Sequence, residues 1–531
     1  MGEGNEMADA DIIVIGSGHN GLVAAAYLAV AGKTVLVLER NEWFGGGVVT
    51  RELTRPGFRH DQHSMSHIFI QGNPLLLNDE LGLKRKYGLE YVFPDIPMMS
   101  VWEDGTTLPL HRYPAKSAAA IARFSRKDAE TFLQMSRQAA EWLPMIQAGL
   151  YSPPMPVGAQ TAMMDQSAEG REIMRTMAVS TFDLMEELFE HDKVKAHFGR
   201  VAGENLVSPD EKATGIGAYI FLGFLEKFGF GVPVGGSGSL TAALIRCIED
   251  HGGAVRAGAQ VREVLTDGAR ASGVVLDNGE RLSAAEGIIG AIHPHILPEM
   301  VPALPANVAK NALRTHITDA ACFTVHAALD EPLKFKAKGA EGEALSAVMY
   351  ELMPADYEDM RRAFDELRYG NFSPTPLVGV GQLTQHDPSR APEGKAIFHA
   401  WDYAPYARKD GRDWDDAKGK FARKIIGRMS DFIENVPDAI LDYHCDSPVD
   451  MERTSPSFYR GDLHGIATTT YQSGAHRPTP ELGQYRVPGV ERLYLVGPFQ
   501  HPGGGVFGAG RATAMVMAED LGLDFDQVKV P

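Results

Sequence analysis

The chain has 531 residues, of which 44% are hydrophobic and 23% are charged, and its formal net charge is −18. This length exceeds what one hydrophobic core supports, so the sequence predicts at least two domains. The acidic excess argues against nucleic-acid binding and against electrostatic docking on anionic lipid. Three widely separated cysteines predict no disulfide framework and favour a cytoplasmic location.

The N-terminal residues 1–7 are acidic and lack the apolar core of a signal peptide. Because no uninterrupted apolar run reaches roughly 18 residues, the sequence also predicts no membrane-spanning helix. It shows neither internal repeats nor low-complexity segments.

Residues 11–40 carry the most informative motif. An apolar run enters a G-x-G-x-x-G match at Gly16, Gly18 and Gly21, a helical stretch follows, and a second apolar run ends at Glu39. Gly16 allows a tight turn, Gly18 lets a pyrophosphate approach the backbone, and Gly21 allows close packing of helix and strand. The Glu39 carboxylate is suited to accept hydrogen bonds from ribose hydroxyls. This order predicts a dinucleotide-binding βαβ unit.

The next loops add glycines and histidines. Three glycines at 45–47 indicate a second backbone approach to the same ligand. A following H-x-x-H-x-x-x-H pattern at His60, His63 and His67 allows three interpretations, namely a metal site, the polar lining of an active site, or structural histidines.

Residues 126–147 and 170–200 are predicted to be helical. The apolar stretch 218–230 follows, and three roles remain open for it: protein core, the wall of an apolar substrate pocket, or a lip that contacts a membrane. These alternatives differ in whether the side chains face the interior, a ligand or solvent.

A second glycine-rich segment, 235–241, opens a helix for which Ser239 is the predicted N-cap. Its third glycine is absent, so no second dinucleotide motif is predicted there. Strands are expected at 259–265 and 273–276, with a hairpin turn at 277–279 and a buried strand at 288–292.

Residues 310–410 alternate β-type runs with polar loops, which predicts an antiparallel sheet. These runs lie at 322–329, 345–351, 377–383 and 396–401, and an amphipathic helix is predicted at 413–434. Near the end, a buried strand at 492–497 leads into a second G-x-G-x-x-G match at Gly503, Gly505 and Gly508, and then a helix. No acid-tipped strand follows, so this segment is expected to serve the far end of the same cofactor.

Together these segments resemble the phytoene desaturase-like FAD-dependent oxidoreductases, and within them the branch named after pyridine nucleotide-disulfide oxidoreductase domain-containing protein 2. The matching pieces are GSGHNG at 16–21, GGGVVT at 45–50, PGF at 56–58, VPVGGSGSL at 232–240, DPSRAPEGK at 387–395, GDLHG at 461–465 and LYLVGPFQHPGGGVFGAG at 493–510.

The resemblance implies an α/β fold with a glutathione-reductase-type Rossmann FAD-binding domain made of 8–115, 232–305 and 485–531. A substrate-binding domain with helices and an antiparallel sheet would comprise 116–231 and 306–484. The resemblance also implies FAD contacts from Gly16, Gly18, Gly21, Glu39, Arg40, Gly45, Gly46, Gly47, Val261, Gly497, Pro502, Gly503, Gly504, Gly505 and Val506.

One segment departs from the family pattern. After the PGF segment the desaturases show Phe-Asp-x-Gly, whereas this chain has His60-Asp61-Gln62-His63. Two imidazoles replace an apolar residue and a glycine, which weakens the inference of polyene desaturation.

The expected function is hydride removal from a hydrophobic or aromatic small molecule, with an electron acceptor that the sequence leaves open. His63, His464 and His501 are candidates for the base, Tyr471 is a candidate orienting group, and no metal is predicted. Peripheral membrane contact is a further expectation, and the oligomeric state is left open. A redox-neutral double-bond isomerase and a non-catalytic flavoprotein that acts as an interaction partner are the alternatives.

Overall fold

The computed structural model describes residues 8–339 and 342–530. Residues 1–7, for which no signal peptide is predicted, and residue 531, the end of the last expected FAD-binding segment, lie outside the described residues. The described chain has an α/β architecture built around two seven-stranded sheets.

The first sheet has the βαβ unit at its centre. Strand Ala10–Ile15 pairs in parallel with Val35–Leu38 on one side and with Arg281–Gly290 on the other. The latter also pairs in parallel with Leu493–Leu495, which brings the C-terminal segment to the same sheet. The remaining strands are Val261–Asp267, Arg270–Leu276 and Ala254–Arg256. The strands Ala10–Ile15, Val35–Leu38 and Leu493–Leu495 belong to the parallel part of this sheet. Because their carboxyl ends share one edge, the loops that follow them converge there.

The second sheet packs one face on the helix Trp414–Phe432, through side chains such as Phe323 and Phe398. Its strand order is Ile440–Asp446, Ala321–Leu329, Ala396–Ala404, Gly379–Gly381, Met349–Leu352, Met98–Val101 and Thr107–Leu110. Two short ribbons complete the strands: Thr50–Arg51 with His60–Asp61, and Tyr91–Val92 with Val232–Pro233.

The first helix, His19–Val30, packs against two other helices of the chain, Gly238–Asp250 and Gly510–Asp520. Its residues 19–29 are all buried, which explains the alanine-rich sequence, since small side chains allow close approach on every side. At Gly510 a Cβ would overlap the Asn20 carbonyl oxygen. The helix Gly510–Asp520 can therefore approach the first helix only because Gly510 has no side chain.

Other helices cover the two sheets and form a helical layer beside the second sheet. They are Pro74–Leu77, Pro114–Ile121, Arg126–Leu150, Val157–Met164, Ala168–Ala178, Thr181–Leu188, Asp192–Gly203, Gly215–Phe228, Leu297–Met300, Ala306–Ala312, Tyr357–Arg368 and Pro448–Thr454. Short 3-10 helices are Phe69–Gly72, Leu383–Gln385, Pro388–Arg390, Tyr459–Gly461, Thr470–Gln472, Gly474–His476 and Phe525–Gln527.

Most predicted elements are confirmed. The helix expected at 126–147 spans Arg126–Leu150, and the one expected at 413–434 spans Trp414–Phe432. The stretch 170–200 contains parts of three helices. The turn at 277–279 joins two antiparallel strands, as expected.

Two local predictions are corrected. The helix after the second glycine segment begins at Gly238 with Ser237 as its N-cap residue, and no side chain caps it. The Ser239 hydroxyl instead donates to the Val234 carbonyl oxygen at 2.6 Å. The second sheet is also not purely antiparallel, because Met349–Leu352 pairs in parallel with Met98–Val101.

Strand pairing also bears on the expected division of the chain. The strands at 98–101 and 107–110 fall in the segment 8–115 assigned to FAD binding, yet they pair with the second sheet. Among the described residues, no helix is both long enough and apolar enough to cross a membrane.

Candidate active site

The loop after the first strand forms a backbone cradle. Gly16 has a φ of +89°, which glycine adopts without strain. A Cβ on Gly21 would lie 2.7 Å from the Gly16 carbonyl oxygen, so this glycine serves the packing of helix on strand. A Cβ on Gly18 would meet no protein atom within 4 Å. The missing side chain of Gly18 therefore keeps open the space in front of the helix.

Glu39 lies at the end of the second strand and is only 6% exposed. Its Oε2 accepts hydrogen bonds from the Ser17 amide at 3.0 Å and the Ser17 hydroxyl at 2.7 Å. Its Oε1 accepts from the Asn41 amide at 2.9 Å. These bonds fix the carboxylate and leave an acceptor position on Oε1 for a ribose hydroxyl.

Two polar side chains at the N-terminus of the first helix have no partner within the protein. His19 Nε2 and Asn20 Oδ1 are buried without a hydrogen bond, and both residues line a cavity. Burial lowers the pKa of His19 to about 4, so its ring is neutral. A helix N-terminus presents unpaired N–H groups and a positive dipole end. This donor set fits the pyrophosphate of a dinucleotide, whose oxygens would accept from the helix N–H groups and from His19 Nε2, whereas Asn20 Oδ1 would accept from a hydroxyl of the ligand.

The C-terminal glycine run forms a second backbone approach. Gly504 lies directly against His464, because a Cβ there would overlap that side chain. The His464 Nδ1 atom is 2.8 Å from the Asn205 carbonyl oxygen, and burial lowers the pKa of this imidazole to about 4. Arg477 holds the run in place by donating to the Pro498 carbonyl oxygen at 2.8 Å.

One cavity of about 550 Å³ connects these loops with a largely apolar chamber. The predicted residues that line it are Gly16, Gly18, Gly21, Glu39, Arg40, Gly46, Gly47, His63, Val261, His464, Gly497, Gly504, Gly505 and Val506. Its apolar lining comprises Met65, Ile68, Phe69, Met98, Val201, Leu206, Phe221, Phe230, Met349, Trp401, Phe458 and Leu463, among others.

The apolar stretch 218–230 contributes to this chamber only in part. Phe221 and Phe230 line the cavity, whereas Phe224 and Leu225 are fully buried in the hydrophobic core. The pocket-wall interpretation therefore applies to two aromatic rings and the core interpretation to the rest. Ile220 and Phe228 in this stretch are half-buried, and the membrane-lip interpretation stays a prediction.

Five predicted site residues do not line the cavity. Gly45, Pro502 and Gly503 belong to the two glycine runs but stand outside the lining. His501 points its Nε2 at the Gly149 carbonyl oxygen, 2.9 Å away. Tyr471 is 61% exposed in a 3-10 turn, because the chain around it runs over the surface, and this position gives no support for an orienting role.

His63 is the histidine of the H-x-x-H pattern that lines the cavity. Its ring packs edge-on against Phe458 at 5.1 Å between centroids, and its buried Nδ1 has no partner. Burial lowers its pKa to about 4, against an opposing effect of Asp446. His60 and His67 are structural by contrast, bonded to Thr54 and to Tyr91 and Ser237.

A row of histidines crosses the second sheet and was not predicted. His326 stands directly opposite His399 on one neighbouring strand and His444 on the other. The His326 and His399 rings are 4.4 Å apart, and none of their four nitrogens has a partner. Burial lowers the pKa of both rings far enough to keep them neutral. A histidine inside an otherwise apolar strand was the available signal.

A buried ion cluster near the cavity was also missed. Arg200 pairs with Glu204, four residues later, and with Glu351 on the second sheet at 2.8 Å. Arg200 and Glu351 are 1% exposed, whereas Glu204 is 22% exposed and lines the cavity. An Arg and a Glu at i and i+4 resemble a surface pair, and only the tertiary structure shows their burial. No group of His, Cys, Asp and Glu suited to a metal ion occurs in residues 8–339 and 342–530.

Comparison with known proteins shows the family. The family described as flavin containing amine oxidoreductase matches residues 21–415. The chain belongs to this family. It is therefore an FAD-dependent oxidoreductase, and the cradle, Glu39 and the glycine run fit the cofactor that the family uses.

Named relatives confirm the resemblance to the phytoene desaturase-like proteins. One of the subunits of limonene dehydrogenase from Castellaniella defragrans is 28% identical over 98% of this chain and 96% of its own length. Pyridine nucleotide-disulfide oxidoreductase domain-containing protein 2 of Rattus norvegicus is 28% identical over 96% of this chain and 94% of its own length. A lycopene-forming phytoene desaturase of Pantoea ananas is 25% identical over 96% and 99%.

Solved structures share the fold. Cyclohexylamine oxidase from Brevibacterium oxydans superposes with a TM-score of 0.57 at 18% identity, covering 97% of this chain and all of that one. At this identity the likeness concerns the fold alone. It agrees with the mixed sheets and helices described above.

Proposed function

We propose that the chain removes two hydrogens from an apolar, unsaturated small molecule and leaves a new double bond. Bound FAD supplies the oxidising power for such a reaction. The protein binds the substrate, excludes water and accepts the proton. The observation that carries the proposal is the continuity of one cavity between the cofactor loops and a chamber lined mainly by apolar side chains.

The chamber favours hydrocarbon over polar substrates. Burial of apolar surface contributes about 25 cal/mol per Å², and aromatic and methionine side chains offer such surface on several sides. Two relatives over nearly the full chain have names that refer to unsaturated hydrocarbons, limonene and phytoene. Limonene is the better probe because His60 and His63 replace the residues that the desaturases show at that segment.

The test is anaerobic reduction of the bound flavin, measured as the loss of flavin absorbance. We expect limonene to reduce the flavin at least about tenfold faster than cyclohexylamine, a ring of similar size with an amine, with phytoene as a third probe. Reduction by the amine alone would contradict the proposal. Conversion of an alkene to its isomer while the flavin stays oxidised would support the isomerase alternative, and the absence of both changes with every probe would support the interaction-partner alternative.

NADH and NADPH are expected to be poor reductants of this flavin. The chain has one βαβ unit with an acid-tipped second strand, and the helix beginning at Gly238 lacks the corresponding glycine pattern. Stopped-flow mixing with either nucleotide measures this directly. Fast reduction that saturates at micromolar nucleotide would overturn the prediction.

We further propose that the first sheet belongs to a glutathione-reductase-type Rossmann FAD-binding unit of 8–115, 232–305 and 485–531, and that 116–231 and 306–484 form the substrate-binding unit. The strands at 98–101 and 107–110 are an exception within 8–115, because they pair with the second sheet. This pairing supports assigning those two strands to the substrate-binding unit. The cytoplasmic location and the absence of nucleic-acid binding stay predictions.

Peripheral membrane contact is proposed at residues 142–164, a stretch without any charged side chain. The exposed apolar side chains of this stretch are Met145, Met155, Val157 and Met163. The stretch also contacts the cavity wall, because the Tyr151 hydroxyl donates to the carbonyl oxygen of Phe69, a cavity-lining residue. An apolar surface next to the chamber would let a hydrocarbon enter from a bilayer.

We expect the protein to float with neutral phosphatidylcholine vesicles and to gain nothing from anionic lipid, because its net charge is −18. The double variant Met155→Ser and Met163→Ser should lose flotation. Leu313→Ser, at an exposed leucine elsewhere, is the matched control. Equal flotation of all three proteins would refute the site.

A further inference from the structure

The apolar part of the cavity wall contains a carboxyl side chain, Glu204. It shares the lining with Leu206, Phe221, Met349 and Trp401, and it follows directly after the helix Asp192–Gly203. A carboxylate in apolar surroundings is costly unless it is paired, so its retention there needs an explanation.

Arg200 supplies the pairing but is shared between two acids. Its Nη1 donates to Glu204 and, at 2.8 Å, to the Tyr403 hydroxyl, and its Nη2 lies 2.8 Å from Glu351 Oε2. Gly203 is part of this arrangement, because a Cβ there would lie 2.6 Å from the Tyr403 hydroxyl oxygen. One positive charge therefore faces two carboxyl groups.

Two carboxyl groups that share one cation do not both ionise readily, so one proton stays in the cluster. Burial raises the pKa of Glu351 above its usual value, and neither of its oxygens accepts a hydrogen bond of good geometry. Burial raises the pKa of Glu204 as well, but Arg200 and the Trp401 indole oppose this effect. Glu204 also accepts a hydrogen bond from Arg200, which Glu351 does not, and it reaches the cavity. The proton therefore belongs on Glu351 and the negative charge on Glu204.

Other titratable groups also face the cluster. They are Tyr403, Cys322 and Asp402, and burial raises the pKa of each. The first two remain protonated at neutral pH. Asp402 accepts hydrogen bonds from the Leu377 and Tyr403 amides, which oppose the effect of its burial.

We propose that Glu204 is the proton acceptor of the dehydrogenation, with Arg200 and Glu351 as positioning residues that hold its charge. This inference rests on the proposed function. Bound oxidised FAD would supply the two-electron oxidation by taking a hydride, two electrons with one hydrogen, from one substrate carbon. The adjacent carbon gives its proton to a Glu204 oxygen, and the electron pair of that C–H bond becomes the second bond of the new double bond.

The direct test is Glu204→Gln in the holoenzyme, with limonene as the probe in anaerobic stopped-flow reduction. Glutamine keeps the size and the indole contact but cannot take a proton at neutral pH. We expect unchanged FAD content and a limiting reduction rate lower by about 100-fold or more, within the range of general-base contributions. A rate within threefold of the wild type would overturn the assignment, as would a similar loss in His63→Ala without one in Glu204→Gln.

A second variant tests the charge arrangement. Glu351→Gln mimics the protonated acid that the wild type already holds at neutral pH, so reduction should persist there and the low-pH limb of the rate profile should stay in place. Any change of rate that accompanies ionisation of Glu351 as the pH rises towards about 8 should be absent in this variant. An infrared pH titration supplies a readout that needs no turnover, and it is made in a Glu226→Gln background because Glu226 also has a raised pKa. In that background the band of a protonated buried carboxyl should be present at neutral pH and should disappear when Glu351→Gln is added. Persistence of that band would refute the positioning role.

Thermal unfolding at different pH values shows whether protonation of Glu351 stabilises the folded state. A raised folded pKa means that the folded state holds a proton the unfolded chain releases. The contribution of Glu351 to stability is therefore fully present at pH values below 4.5 and is lost as the pH rises towards about 8, and this contribution should be absent in Glu351→Gln. Glu226→Gln is the control, since Glu226 is a half-buried acid with a raised pKa that is not among the cavity-lining residues. It should change the stability curve but not the rate profile, and a changed rate profile would count against a special role of the Glu204 cluster.

The two possible failures are distinguishable. If none of limonene, phytoene and cyclohexylamine reduces the wild-type flavin, the dehydrogenation is rejected and the role of Glu204 with it. If limonene reduces wild type and Glu204→Gln equally, only the role of Glu204 is rejected. If cyclohexylamine alone reduces the flavin and Glu204→Gln raises its half-saturating concentration at an unchanged limiting rate, Glu204 binds an ammonium group and is not the acceptor.

Discussion

Gly18→Ala is expected to release FAD while leaving the fold intact. An alanine Cβ at this position meets no protein atom within 4 Å, and the residue has a φ of −56°, which alanine adopts readily. The methyl group would project instead into the space where the pyrophosphate approaches the helix N-terminus. We expect FAD affinity to fall by about 100-fold, which corresponds to about 2.7 kcal/mol, with no change in the unfolding temperature of the apoprotein.

Gly21→Ala is the matched control, one helical turn further on. Its Cβ would lie 2.7 Å from the Gly16 carbonyl oxygen, so the backbone must move. This variant should lose both FAD and stability. Released flavin can be measured by fluorescence after ultrafiltration, and the unfolding temperature by calorimetry. Full FAD retention by Gly18→Ala, or a loss of apoprotein stability equal to that of Gly21→Ala, would show that Gly18 has another role.

The second large effect is expected at Arg390, which is fully buried. Its Nη1 lies 2.6 Å from Asp61 Oδ2, its Nε lies 2.6 Å from Asp387 Oδ2, and its Nη2 donates to the Pro233 carbonyl oxygen at 2.9 Å. Arg390→Met fills much of the volume but leaves two buried carboxylates without a cation. Breaking a buried pair in this way costs about 3–5 kcal/mol of unfolding free energy.

The consequence reaches the active site, because the strand His60–Asp61 leads directly to His63. Denaturant unfolding of the holoenzyme measures the loss. Arg362→Met removes an exposed arginine that pairs with Glu358 and should change the free energy of unfolding by less than about 0.5 kcal/mol. Equal effects of the two substitutions would mean that solvent reaches the Arg390 cluster.

Local chemistry made the nucleotide side of the molecule predictable. A turn with positive φ at Gly16, a contact without a side chain at Gly21 and an acid at the tip of the next strand are requirements of a segment some 30 residues long. The same applies to long amphipathic helices such as Arg126–Leu150, whose apolar spacing is periodic. In such segments the neighbours along the chain carry most of the information.

The substrate side could not be predicted in the same way. The row of His326, His399 and His444 exists because three strands far apart in sequence pair in one register. Likewise, Met98–Val101 joins the second sheet through a parallel partner about 250 residues later, which composition and periodicity do not encode.

The sequence by itself determined the dinucleotide cradle, the family resemblance and the FAD requirement, because each depends on short stretches in which spacing fixes geometry. The tertiary structure alone decided which polar groups face the chamber. It placed His63 there and kept Tyr471 at the surface, and it buried Arg200 between Glu204 and Glu351. Burial and charge sharing arise from contacts between distant segments, and these contacts set the protonation state of the proposed proton acceptor.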